Sequence, residues 1–151
     1  MHEIHRRRHP LVFRTLQVEQ VIDLTPHMRR IVLGGAELEG FLSAAADDHV
    51  KLFFPDADGT LVMPTTGPDG TPVYAEGAPR SPARDYTPRS YAPQSRTLVV
   101  DFVLHGDGPA TAWAARAQPG DRLGLGGPRS SVVVAGDFDQ YLLFGDETAL
   151  P

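Results

Sequence analysis

Proline and glycine interrupt this sequence so often that long helices have no room. The 151 residues include 15 glycines and 14 prolines, and a sustained helical periodicity of apolar residues is nearly absent. A proline inside a helix removes a hydrogen bond and clashes with the preceding turn. What remains between the breaks is a series of short apolar runs bounded by turn residues, and such runs read as strands. The sequence therefore predicts an all-β domain. A chain of this length can bury roughly two-thirds of its unfolded surface, enough for one domain with a real core.

Charge and composition narrow the function classes. The formal charge is -5, with acidic and basic residues mixed along the chain, which argues against a nucleic-acid partner. Lys51 is the one lysine among 14 basic residues. The absence of cysteine excludes disulfides, a thiol nucleophile and an iron–sulfur cluster ligated by this chain. No apolar run approaches the roughly 20 residues of a membrane helix, so no membrane insertion is expected. Residues 1–10 lack the apolar core of a secretory signal. With His2, His5 and His9 around Arg6-Arg7-Arg8, they read as a solvated, flexible tail. A cytoplasmic protein is the expectation.

In chain order, residues 11–24 alternate as a strand, Thr25-Pro26 turns, and residues 28–33 return as the second arm of a hairpin. Residues 36–46 have room for one short helical turn. Val50-Lys51-Leu52-Phe53-Phe54 is a third strand, on which Lys51 points away from Val50 and Leu52, to solvent or to a cleft. Pro64, Pro68, Pro72, Pro79 and Pro82 forbid a continuous ladder over residues 55–83 and predict a long loop bordering the ligand site. Residues 84–91 read as a fourth strand and residues 97–104 as a fifth.

Two stretches carry chemistry. In Arg84-Asp85-Tyr86-Thr87, alternation puts Arg84 and Tyr86 on one face and Asp85 and Thr87 on the other. The planar fork of Arg84 suits a phosphate. The Tyr86 ring can lie against a flat heterocycle, and Thr87, where the strand turns towards Pro88, can offer a donor to that ring's edge. Together these describe a flavin nucleotide; a surface arginine beside a core tyrosine would carry the same letters. The second stretch is His105-Gly106-Asp107-Gly108-Pro109-Ala110-Thr111. Alanine-rich residues 110–117 favour a helix, with Pro109 at its first position, Gly108 as its cap and Trp113 in the core. The unpaired N–H groups and positive dipole end of such a helix suit a diphosphate, with the Thr111 hydroxyl beside them. An ordinary capped connector helix is the other reading.

Arg122 to Leu125 and Val132 to Val134 are two further short strands. Tyr141-Leu142-Leu143-Phe144 followed by Gly145-Asp146-Glu147-Thr148 reads as the strand and turn that open a βα unit of a parallel sheet. The chain thus divides into a barrel-type domain over 11–136 and the start of another over 137–151, as in the front part of a longer two-domain protein.

These residues resemble the siderophore-interacting protein family, bacterial ferric-siderophore reductases within the ferredoxin–NADP reductase superfamily. The resemblance runs from about Phe13 onwards and rests on five segments in order. They are Asp48-His49-Val50-Lys51-Leu52-Phe53-Phe54-Pro55, Arg84-Asp85-Tyr86-Thr87-Pro88-Arg89, Asp101-Phe102-Val103-Leu104-His105-Gly106, Gly108-Pro109-Ala110-Thr111-Ala112-Trp113-Ala114 and Gly145-Asp146-Glu147-Thr148-Ala149-Leu150-Pro151. It implies an antiparallel Greek-key β-barrel that binds FAD, with one short connector helix, then an α/β NAD(P)H-binding domain of which this chain would hold the first strand. By position it assigns FAD contacts to Arg84, Asp85, Tyr86, Thr87, Val103, His105, Gly108, Pro109, Ala110 and Thr111. Arg84 would hold phosphates, Tyr86 would stack on the isoalloxazine, Thr87 would reach its N5 region, and the backbone of 108–111 would receive the diphosphate. Lys51 and Arg129 match segments whose basic residues would attract anionic ferric siderophores. Ala112 departs from the larger, often basic residue common before the tryptophan, which would loosen the phosphate site.

The function implied is FAD-dependent reduction of ferric siderophores, releasing Fe(II) in bacterial iron acquisition, with NADH, NADPH or a ferredoxin as donor. Such electron transfer needs no side-chain nucleophile, and the sequence offers neither a triad nor metal-ligand spacing among its histidines. Two other readings stand beside it: a non-catalytic flavin- or siderophore-binding module, and a ligand-binding barrel without flavin. If the NAD(P)H domain is missing beyond Pro151, hydride delivery to this chain alone would be very poor.

Overall fold

A computed structural model describes residues 2–150. Its strands are β1 (Ile4–Arg8), β2 (Phe13–Thr25), β3 (Met28–Gly34), β4 (Val50–Phe53), β5 (Thr65–Thr66), β6 (Pro72–Val73), β7 (Ala83–Tyr86), β8 (Ser90–Ala92), β9 (Thr97–Val103), β10 (Arg122–Gly126) and β11 (Ser130–Val134). The helix α1 spans Pro109–Arg116, and short 3₁₀ turns cover Ala36–Leu38 and Glu147–Ala149.

Seven strands form one antiparallel sheet in the order β7-β4-β10-β2-β3-β9-β8. Laid flat, its outer strands would be about 29 Å apart, six gaps of about 4.8 Å. Yet β7 and β8 are joined by only Thr87, Pro88 and Arg89, a link that reaches at most about 14 Å. The sheet therefore curls into a half-barrel. The β2–β3 hairpin lies between β10 and β9, strands that arrive much later in the chain, which gives the Greek-key crossing.

Alternation decides what the curl encloses. On β9, Leu98, Val100 and Phe102 are fully buried, while Val99, Asp101 and Val103 face the other way. The core gathers Leu16, Ile31, Leu33, Leu52, Leu123 and Leu125 from the neighbouring strands. Trp113 of α1 packs against Phe54 and Phe102, at ring separations of 5.7 and 5.9 Å, and seats the helix on the barrel. Arg29 then donates to the carbonyls of Ala114 and Ala115, both at 2.9 Å, satisfying the helix's last turn. Buried Arg14 spends its Nε–H on the Glu37 carbonyl at 2.8 Å.

Four sequence expectations change. Residues 84–91 are two strands, because Pro88 has no N–H and the chain there leaves β4 to pair with β9. Residues 4–8, expected within a flexible tail, are strand β1, which takes its ladder hydrogen bonds from β11. The 55–83 loop contains a small hairpin, β5 with β6. Residues 141–144, expected as a strand, have no ladder partner among the described residues, and Leu143 and Phe144 are 93% and 88% exposed. A run with strand propensity stays irregular when no edge is offered to it.

Candidate functional site

Where β7, β9 and the start of α1 meet, the barrel opens into a cavity of about 470 Å³. Its wall brings together Arg84, Asp85, Tyr86, Thr87, Val103, His105, Gly108, Ala110 and Thr111. Pro109, also assigned from the sequence, is not on the wall; it occupies the first helical position. His49, Asp101, Gly106 and Thr148 complete the lining, and none of them was assigned from the sequence. Asp101 was within reach of that reading, since it shares the Val103 face of β9. Thr148 belongs to the 145–151 segment of the resemblance, which the sequence ties to a βα unit and not to this cavity.

Arg84 is exposed, and its Nη1 donates only to its own neighbour's carbonyl, Ala83, at 2.8 Å. Among the described residues no carboxylate pairs with it, so the fork is available to a phosphate. Tyr86 packs its ring on Phe102 at 4.5 Å. Burial pushes its phenol up to about 12, partly offset by the nearby Arg84 charge. The hydroxyl stays protonated at neutral pH. The unfolded phenol titrates near 10, so Tyr86 favours the folded state fully below that pH and loses this contribution as pH rises towards about 12. Alkaline denaturation of Tyr86→Phe should show a shallower fall over that window; an identical fall would assign it to other groups.

The entry to α1 leaves backbone donors without helical partners. Gly108 is extended at φ -67° and ψ 159°, and its carbonyl accepts the first helical bond from Ala112 N–H at 2.9 Å. Ala110 and Thr111 N–H precede that bond and have no helical partner. The Thr111 hydroxyl donates to the His105 carbonyl at 2.8 Å, closing the Gly106–Gly108 loop against the helix. Asp101 is held by both arms of Arg30, Nε to Oδ1 at 2.8 Å and Nη2 to Oδ2 at 2.9 Å. Hydrogen bonding to Asp101 raises the Arg30 pKa above its ordinary value. The pair is neutral in sum, so the Asp101 wall does not repel an anionic ligand.

These features fit FAD. A free guanidinium and unpaired helix N–H groups suit its diphosphate, and a half-buried tyrosine suits its ring. Gly106, at φ +60°, and Gly108 both line the cavity, and an added Cβ at either would meet no protein atom within 4 Å beyond its chain neighbours.

A second cavity of about 350 Å³ adjoins the first, and His49 and Asp85 line both. Lys51 and Arg129 are on its wall, with Phe13, Phe53 and Tyr74. Lys51 Nζ pairs with Asp85 across β4 and β7 at 2.6 Å. The proline-rich loop lines this second cavity and not the first: it contributes Pro64, Pro72 and Tyr74, whose ring lies 4.0 Å under the Arg80 guanidinium.

A curled Greek-key sheet with one helix seated on it carries the two cavities. A ferredoxin NADP+ reductase from Neisseria gonorrhoeae shares the fold at 22% identity and a TM-score of 0.50, over 75% of this chain and 36% of that one. The chain belongs to the siderophore-interacting FAD-binding domain family, whose sequence pattern matches residues 17–132. It is 47% identical to an NADPH-dependent ferric-chelate reductase of Escherichia coli (strain K12), over 97% of this chain and 56% of that protein. Ferric vibriobactin reductase of Vibrio cholerae is 37% identical, over 85% of this chain and 47% of its own. A siderophore utilization protein from T. fusca superposes with a TM-score of 0.79 at 43% identity, over 87% of this chain and 50% of that one. The chain thus spans about half the length of the curated relatives it matches.

Proposed function

We propose that this chain holds FAD in the larger cavity and serves the reduction of a ferric siderophore seated in the adjoining one, in bacterial iron acquisition. The observation that carries this reading is the shared wall of His49 and Asp85: a cavity with a flavin's complement of groups adjoins one with two cations and three aromatic rings. Bound FAD supplies the electron transfer that takes iron(III) to iron(II). The chain's residues bind and orient. Arg84 and the start of α1 hold the diphosphate, Tyr86 and Thr87 meet the ring, and Val103 and His105 flank it. Lys51 and Arg129 offset the negative charge of the chelate. The donor is proposed to be NADPH, following the Escherichia coli relative's name, with a ferredoxin as the competing donor. The proposed compartment is the cytoplasm. Among the described residues no helix is long and apolar enough to cross a membrane.

The test is a half-reaction. FAD-loaded protein is photoreduced without air and mixed with a ferric siderophore in the presence of an Fe(II) chelator. Flavin reoxidation matched by captured Fe(II) is expected; a flavin that stays reduced while the chelate keeps its iron would overturn the proposal. Lys51→Glu should slow the step for an anionic chelate, and the difference should shrink as salt is added. Equal rates at low salt would return Lys51 to an ordinary partner of Asp85.

A further inference from the structure

We propose that strand β1 forms the outer rim of the second cavity, and that Arg6 and Arg8 steer an iron(III) chelate of net negative charge into it. This rests on reading that cavity as the chelate site. In an antiparallel ribbon side chains alternate between faces, and directly opposed residues share a face. Arg8 opposes Ser130 and Arg6 opposes Val132, so Arg6, Arg8 and Ser130 lie on one face. Arg6 Nη2 approaches Ser130 Oγ at 3.5 Å on that face. Ser130 and its neighbour Arg129 line the cavity. The arginine face of β1 is therefore continuous with the cavity's edge.

The opposite face is anchored. Ser131, 1% exposed, donates its hydroxyl proton to buried Asp48 at 2.6 Å. Ser131 Oγ also accepts from Ala44 N–H at 3.4 Å, and its contact with His9 Nε2 at 2.7 Å then has the histidine as donor. His9 N–H also bonds the Arg129 carbonyl at 2.9 Å. Asp48 in turn accepts from Ala44 N–H at 2.8 Å and the Ser43 hydroxyl at 3.0 Å. The arginines are thus carried on a ribbon pinned beside the cavity.

Their charge is uncompensated. Among the described residues neither Arg6 nor Arg8 forms an ion pair, while Glu3 and Asp137 pair with His5 and His2 and Lys51 is committed to Asp85. The chain as a whole carries -5 and repels an anion at long range. A local cationic rim reverses that field where the ligand enters. Exposed charges of this kind act on association rate more than on affinity.

Gallium(III) chelates, inert to reduction, isolate binding from electron transfer. The tris-catecholate complex is trianionic and the tris-hydroxamate complex neutral, so the second is an internal control. Association is followed by stopped-flow quenching of tyrosine emission, for the parent and for the double variant Arg6→Ser with Arg8→Ser. At low salt the variant should bind the anionic chelate on the order of 3- to 10-fold more slowly. Dissociation and the neutral chelate should be unchanged, and the difference should vanish near roughly 1 M salt. Arg6→Glu with Arg8→Glu should slow it further. An unchanged anionic rate, or equal slowing of both chelates, overturns the rim. Lys51→Glu, run alongside, separates the two claims. Slowing there but not in the arginine variants overturns the rim and leaves the cavity standing; a parent that binds neither chelate removes both. If the arginine variants instead slow only reduction by an acidic ferredoxin, the ribbon is a protein-docking surface and the proposal fails.

Discussion

Arg84→Ala should weaken FAD binding about 10- to 100-fold, the equivalent of roughly 1.5–3 kcal/mol for one charge-assisted hydrogen bond. The expectation follows from geometry. The guanidinium lines the larger cavity, spends one N–H on the Ala83 carbonyl and pairs with no carboxylate among the described residues. Being exposed, it contributes little to packing, so the loss should appear in FAD affinity with the thermal midpoint of the apo-protein nearly unchanged. Arg96→Ala is the control. That arginine sits on the β8–β9 turn, where its contact with Glu39 is 4.0 Å long. Full FAD retention by Arg84→Ala would remove Arg84 from the site.

Trp113→Ala should cost about 3–5 kcal/mol of stability, in the range measured for large aromatic deletions from cores. Trp113 is 3% exposed and its ring meets both Phe54 and Phe102. The same ring seats α1, so FAD affinity should fall along with stability even though Trp113 does not line the cavity. Chemical denaturation and FAD titration of the same variant would measure both effects. A stability loss with undiminished FAD affinity would mean that the helix start holds its place without its core anchor.

The contrast between the two variants reflects what the sequence could reveal. The cavity wall is largely local. Arg84 to Thr87 are consecutive, His105 to Thr111 nearly so, and the Gly108-Pro109 helix start is written in two adjacent letters. What escaped the sequence depends on distant partners. Strand β1 has no apolar alternation; it exists because residues 130–134 supply its ladder, and only the fold brings those ends together. Asp48, written beside Asp47 ahead of β4, carries no local sign of burial, and only the fold sets Ser131 against it. Residues 141–144 err in the opposite direction: the local pattern is that of a strand, and no neighbour completes it. His49 and Thr148 stand in segments of the resemblance, yet only the path of the chain brings them to the cavity.

The account's central claim is that the larger cavity takes a flavin by its diphosphate end. Equilibrium dialysis of the apo-protein against FAD, FMN and riboflavin tests it most directly, because the three share the ring and differ in phosphate. The expected result is tightest binding of FAD, with riboflavin weakest and Arg84→Ala narrowing the gap between them. Equal affinity for all three, or no flavin binding at all, would contradict it.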